Sequence, residues 1–127
     1  MAPRGTIFSL MQDWQVAAEA ALSRKAEDVV MLDIGAISSF TDHFVICNGT
    51  NARQTQAIAD AVEDALREAG LRPLGIEGAQ KGEWVLMDYG DFIVHIFSPE
   101  KRAFFDLERL WKTAPRLEVP EAAASAS

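Results

Sequence analysis

Apolar residues recur at helical spacing through Leu10, Trp14, Ala17, Ala18, Ala21 and Leu22. Ser9 with Gln12 has the form of a capping box, in which each side chain satisfies a free amide at a helix start. Together they predict a helix running to about Lys25, preceded by a short arm over residues 1–8. The period then changes. "DVVMLDI" (28–34) is rich in β-branched residues and reads as a strand; "GAISSFTD" is a loop; "HFVICNG" (43–49) is a second strand ending at Gly49. Asn51 with Gln54 forms another capping box. Ile58, Val62, Ala65, Leu66 and Ala69 line one face of the helix it opens, and Gly70 ends that helix in the left-handed conformation. "RPLGIEG" predicts a short third strand, which Pro73 pushes toward a sheet edge.

Two alternating runs follow, "WVLMDY" and "FIVHIF", separated by Gly90-Asp91. A two-residue turn with glycine at the position needing positive φ makes them a hairpin. Ser98 and Pro99 then open a last helix, expected to end near Trp111 or Lys112. Residues 113–127 contain two prolines and, after Glu121, only small residues; they read as a loosely attached or disordered tail. The order predicts an α/β (α+β) domain over residues 9–112, a mixed sheet of about five strands flanked by helices. The stretch 43–77 is long enough for a right-handed parallel crossover.

The hairpin register decides which side chains share a face. Tyr89 should pair with Phe92, Asp88 with Ile93, Leu86 with His95, and Trp84 with Phe97. One face then holds Val85, Met87, Tyr89, Phe92, Val94 and Ile96 and should cover the core. The other holds Trp84, Leu86, Asp88, Ile93, His95 and Phe97, large apolar groups beside a carboxylate and an imidazole. An unpaired buried charge there would cost several kcal/mol, of the order seen for buried ions. The pattern leaves two readings open: a helix packs on this face with its polar groups satisfied locally, or the face is a docking surface with aromatic anchors.

Composition narrows the function. The chain has 127 residues, 49% hydrophobic and 24% charged, as expected of one globular domain. No apolar run approaches a membrane span, and "MAPRGTIFSLMQDWQ" lacks a secretory apolar core, so a cytoplasmic address is expected. Twelve basic residues face nineteen acidic ones, a net charge of −7. That disfavours direct binding to a phosphate backbone and suits a basic partner. Cys47 is the single cysteine and sits in an apparent buried strand, so it reads as structural. His95 and Asp88 could act as a base and its orienter, but no nucleophile stands beside them. His43, His95 and Cys47 lack a metal-binding spacing. "GTNAR" could hold an anion at a helix start, though Asn51 capping its own helix suffices. No catalytic residue, metal or cofactor is expected.

Three stretches carry a resemblance over roughly residues 10–112. They are "TDHFVICNGTNARQ" with "IAD" beyond; "GLRPLGIEG" followed by Gly82, Trp84, Asp88, His95 and Phe97; and "RAFFDLERLW". In these the chain resembles the Iojap family, which includes the bacterial ribosomal silencing factors (RsfS). The resemblance implies a non-enzymatic translational repressor with a nucleotidyltransferase-like fold. Family members bind the large ribosomal subunit through ribosomal protein L fourteen and block joining of the small subunit when nutrients are scarce. They also assist large-subunit assembly in organelles, and isolated members are often homodimers. Carried over by motif, partner-binding positions centre on Trp84, Asp88, Glu77, Tyr89 and His95, with Trp84 as apolar anchor and the carboxylates facing basic side chains. Phe105 stands where the family commonly has tyrosine, and Asn51-Ala52 where two serines are common; neither departure is expected to touch the docking face. The alternative is a small-molecule or nucleotide-binding enzyme of the same fold. Against it, Asp88 and Asp91 are three apart across a turn and cannot clamp a metal pair from one strand.

Overall fold

The computed structural model describes residues 11–119. Ser9, Leu10, the expected arm over 1–8 and the last residues of the expected tail, 120–127, lie outside them. Helix α1 spans Asp13–Ser23, and the Gln12 backbone N–H before it donates to Gln15 Oε1 at 2.7 Å. It buries Ala17, Ala18 and Ala21, small side chains that let its backbone lie close to its neighbours. Helix α2 spans Ala52–Glu68. Asn51 Oδ1 accepts the Gln54 N–H at 2.9 Å, the expected cap, and Gly70 follows the helix at φ +92°. Gln54 Nε2 donates to the carbonyls of Arg24 and Lys25, each at 3.1 Å, which ties the start of α2 to the end of α1.

The strands are β1 Glu27–Asp33, β2 His43–Asn48, β3 Gly75–Glu77, β4 Trp84–Asp88, β5 Phe92–Phe97 and β6 Arg116–Leu117. They form one six-stranded sheet in the order β3-β4-β5-β2-β1-β6. All neighbours are antiparallel except β2 and β5, which run parallel. The α2 passage therefore carries the chain from β2 over β5 and β4 to β3, an edge strand running in the same direction as β2. Pro73 sits just before that edge, where a missing N–H costs little.

The hairpin has the expected register: Trp84 opposite Phe97, Leu86 opposite His95, Asp88 opposite Ile93. Gly90 takes φ +87°, and the Tyr89 N–H donates to the Phe92 carbonyl at 3.0 Å. Asp42 and His43 donate their N–H groups to the Asp91 carbonyl, and Thr41 Oγ1 donates to Gly90 O at 2.9 Å. The turn is thereby stitched to the loop entering β2.

Two apolar cores lie on opposite sides of the sheet. Under α1 and α2, Ile58, Val62 and Leu66 meet Val45, Cys47, Val85, Met87, Tyr89, Phe92, Val94 and Ile96. Burial pushes the Cys47 thiol up to about 12, which fits the structural role read from its surroundings. On the other side, Phe97, Phe44, Ile46, Leu32, Ile34 and Ile93 meet Ala114, with Leu107 and Trp111 packed against them. Fully burying a side chain such as Phe97 contributes about 2–3 kcal/mol.

This second core corrects two expectations. The last helix is not continuous to Trp111: Asp106 adopts a left-handed φ of +49° and divides it into α3 Pro99–Phe105 and α4 Leu107–Leu110. And residues 113–119 are not a loose tail. Arg116 and Leu117 pair with Leu32 and Met31, the Asp33 N–H donates to Pro115 O at 2.9 Å, and Ala114 is buried. The chain thus returns to the sheet after α4 and adds a sixth strand to the expected five.

Candidate functional site

The face opposite the long helices is where the sequence places Trp84, Asp88 and His95, and the structure covers only part of it. Ile93, His95 and Phe97 of β5 are buried, while Trp84, Leu86 and Asp88 of β4 remain half-buried. The face for which cover by a helix and docking were both open readings is therefore closed over β5 by the segment from α3 to Ala114 and stays accessible along β4.

Aromatic rings run across this face in a continuous chain. Phe104 meets Phe105 at 5.0 Å between centroids, and Phe105 meets Trp84 at 4.4 Å. Trp84 stacks near His95 at 6.0 Å, and His95 meets Phe44 edge-on at 4.6 Å. Phe44 meets Trp111 at 5.6 Å, and Trp111 meets Phe40 at 6.1 Å. The middle of the chain is buried, but its ends are not: Phe104 is 76% exposed and Phe40 59%. Leu110, 72% exposed, adds a further apolar side chain from α4. Large apolar groups presented together in this way mark interaction surfaces in soluble proteins.

The polar groups are arranged around Trp84. Its indole Nε1–H donates to His95 Nδ1 at 3.2 Å. His95 is only 4% exposed, and burial lowers its pKa to about 4, so the ring is neutral and presents Nδ1 as an acceptor. Its Nε2 is buried with no hydrogen-bond partner. Asp88 does not orient His95; its Oδ1 accepts the Gly90 N–H at 2.8 Å and so braces the turn. Glu77 is exposed on β3 opposite Leu86, on the same face by register, and Glu83 is exposed just before Trp84. The cover is fastened by Arg102. Its guanidinium bonds both oxygens of Glu108 and donates to Asn48 Oδ1 at 2.9 Å. Burial would raise the Glu108 carboxyl, but the hydrogen bond and charge of Arg102 outweigh it and hold the group below its ordinary range.

Of the five positions expected from the sequence, the structure brings Trp84, Asp88 and Glu77 to one accessible face. Tyr89 is elsewhere. It lies on the other side of the sheet, buried and stacked on Phe92 at 5.0 Å, as alternation along β4 requires. Burial, then the charge of Glu63, pushes its hydroxyl up to about 12 against a smaller opposing effect of Arg67. His95 is on the right face but beneath it. Phe105, expected to stay clear of the docking face, packs directly on Trp84. Sequence reasoning missed Phe40, Phe104, Leu110 and Trp111 as parts of the face. Five aromatic or leucine side chains within residues 104–111 were the available signal for all of these but Phe40.

The chemistry of catalysis finds little purchase here. His95 has no carboxylate partner and no access to solvent, and the "GTNAR" turn spends Asn51 on its own helix. Among the described residues no group of three or more His, Cys, Asp or Glu could hold a metal ion, and no helix is long and apolar enough to cross a membrane.

Comparison with known proteins places this geometry among relatives. The family model described as "Ribosomal silencing factor during starvation" matches residues 9–127, beyond the residues 10–112 that carry the resemblance. The chain is 41% identical over 105 residues to the ribosomal silencing factor RsfS of Bacillus subtilis, covering 83% of this chain and 89% of that one. It is 32% identical over 103 residues to the chloroplastic protein Iojap of Zea mays, covering 81% of this chain and 45% of the relative. A crystal structure of a protein from Chromobacterium violaceum superposes with a TM-score of 0.76 at 36% identity, over 80% of this chain and 88% of that one.

Proposed function

The chain belongs to the ribosomal silencing factor (RsfS) family, and from that premise we propose that it is a translational repressor whose Trp84 face docks on the large ribosomal subunit. The role is regulatory and not enzymatic. Its partner there is ribosomal protein L fourteen, and an occupied docking site excludes the small subunit. Off the ribosome, the same apolar face serves a homodimer.

One observation carries the reading: a half-buried indole stands in the accessible part of an aromatic run, and Asp88 and Glu77 lie on the same face of the sheet by register. Aromatic anchors of this kind supply most of the affinity of protein interfaces. The carboxylates and the net charge of −7 suit a basic protein surface better than bare RNA. The demand on affinity is modest, because an interface of about 800 Å² per partner with one good anchor reaches the nanomolar range. Contact residues are Trp84, Phe104, Phe105 and Leu110 with Glu77 and Asp88 at the rim, while Tyr89 and His95 support the sheet beneath.

A subunit-joining assay with purified ribosomal subunits tests this. Added protein should lower the fraction of joined ribosomes and co-sediment with large subunits, and Trp84→Ala should do neither at the same concentration. Undiminished joining at saturating wild-type protein would overturn the reading.

A further inference from the structure

We propose that His95 is a positioning residue for docking: it acts through Trp84, whose indole it orients on the surface, and touches no partner itself. This rests on the docking reading above and extends it to a residue that a partner cannot reach.

His95 is 4% exposed, so a molecule covering the face meets the indole and not the imidazole. The Trp84 indole N–H has one hydrogen-bond acceptor among the described residues, His95 Nδ1 at 3.2 Å. Because Nδ1 accepts, the ring proton sits on Nε2. That nitrogen is buried without a partner, and the imidazole ring meets Phe44 at 4.6 Å and Phe97 at 6.0 Å between ring centroids. A buried donor left unpaired is a cost to the fold. Leucine would fill a similar volume and leave no donor unpaired, so packing alone gives no reason for an imidazole here. What leucine cannot do is accept the indole proton.

The apolar contacts of Trp84 do not fix its orientation by themselves. Phe105 at 4.4 Å and Phe97 at 5.3 Å present flat, non-directional surfaces to the indole. The hydrogen bond is directional and selects one rotation of the ring. A half-exposed indole already held in one orientation loses less freedom when a partner covers it.

The test measures binding to purified large subunits by co-sedimentation for the wild type, His95→Leu, Trp84→Phe and the double variant. Exchange of the Trp84 indole N–H is followed by NMR in the free protein. His95→Leu should weaken binding about fivefold to tenfold, the worth of one hydrogen bond, and should speed indole exchange. In the Trp84→Phe background, which lacks the indole N–H, it should change binding by less than about twofold. His95→Asn, whose amide oxygen stands near the place of Nδ1, should restore both readouts. Equal weakening in both backgrounds, or unchanged indole exchange in His95→Leu, overturns the proposal. If His95→Leu does not fold, His95→Phe replaces it, since it keeps a planar ring and lacks the acceptor. Failure of the wild type to bind overturns the docking reading and the docking part of this proposal. The orienting role is then judged by indole exchange alone.

Discussion

The Trp84 indole donates to His95 Nδ1 at 3.2 Å, and this bond joins an accessible side chain to a buried one across paired strands. Burial of that imidazole also makes the fold sensitive to acid. The folded chain keeps His95 neutral down to about pH 4, whereas the unfolded chain protonates it near 6.5. Between those values the unfolded state binds more protons, so stability falls as the pH falls through the window. The loss is about 1.4 kcal/mol per pH unit, on the order of 3 kcal/mol in all. Urea unfolding at pH 7, 6, 5 and 4 should show it in the wild type, and His95→Leu should lose that part of the slope. Parallel slopes for the two proteins would place the acid sensitivity elsewhere.

Phe104 and Leu110 protrude from the two short helices with little to hold them. Phe104→Ser and Leu110→Ser should leave the unfolding midpoint nearly unchanged, within about 0.5 kcal/mol as for most exposed substitutions. Each should nevertheless weaken co-sedimentation with large subunits by about 1 kcal/mol. A loss of stability with intact binding would mean that these side chains serve the fold alone.

Asp88 has two possible contributions, its charge and its bond to the Gly90 N–H. Asp88→Asn keeps an oxygen acceptor for the turn and removes the charge. If the charge faces a basic partner, Asp88→Asn and Glu77→Gln should both weaken binding at low salt, and the difference from wild type should shrink as salt rises. Binding curves that coincide at low salt would remove the electrostatic part of the docking reading.

Arg102 links α3 to α4 and to the end of β2, with its side chain 13% exposed. Arg102→Ala leaves Glu108 and Asn48 without their partner, and should cost about 2–3 kcal/mol in a urea titration. Arg102→Lys should recover only part of this, since an ammonium cannot make the paired contact with both Glu108 oxygens.

Gly78 at φ +82° lies just before the loop that leads into Trp84, and a Cβ there would collide with the Trp84 carbonyl. Gly78→Ala should destabilise the fold by at least about 1 kcal/mol from the left-handed backbone alone. Because the collision is with the β4 backbone, the Trp84 indole resonance should shift as well. A variant with wild-type stability and spectrum would show that the loop relaxes freely.

The parts of this fold that repeat were readable from the sequence, and the parts that occur once were not. Alternation through "WVLMDY" and "FIVHIF", with Gly90 at the turn, led to the observed register because a slip of one residue would turn Val85 and Met87 out of the core. The capped start of α2 at Asn51 was similarly legible, since the side chain makes a bond with its own local backbone. Asp106 was not: a left-handed aspartate leaves no mark in the apolar spacing, so α3 and α4 looked like one helix. Arg116 and Leu117 are too few to show a period, and their strand exists only because Met31 and Leu32 offer an open edge. The site suffered for the same reason. Placing Trp84 and His95 on one face follows from local geometry, but how deeply each lies depends on distant packing: Phe105 lies on Trp84, and Phe44, itself met by Trp111, lies against His95. Tyr89 was already assigned to the core by alternation; the family resemblance drew it into the site, and alternation was right.

The strand formed by Arg116 and Leu117 has a consequence for synthesis. A ribosome releases this chain from its amino end, so the first five strands and both long helices can assemble before the last residues emerge. Until then the imidazole and its aromatic neighbours have no roof. The interval between release of Phe97 and release of Leu117 is therefore the newborn protein's stickiest moment, and its final two-residue pairing is the latch that ends it.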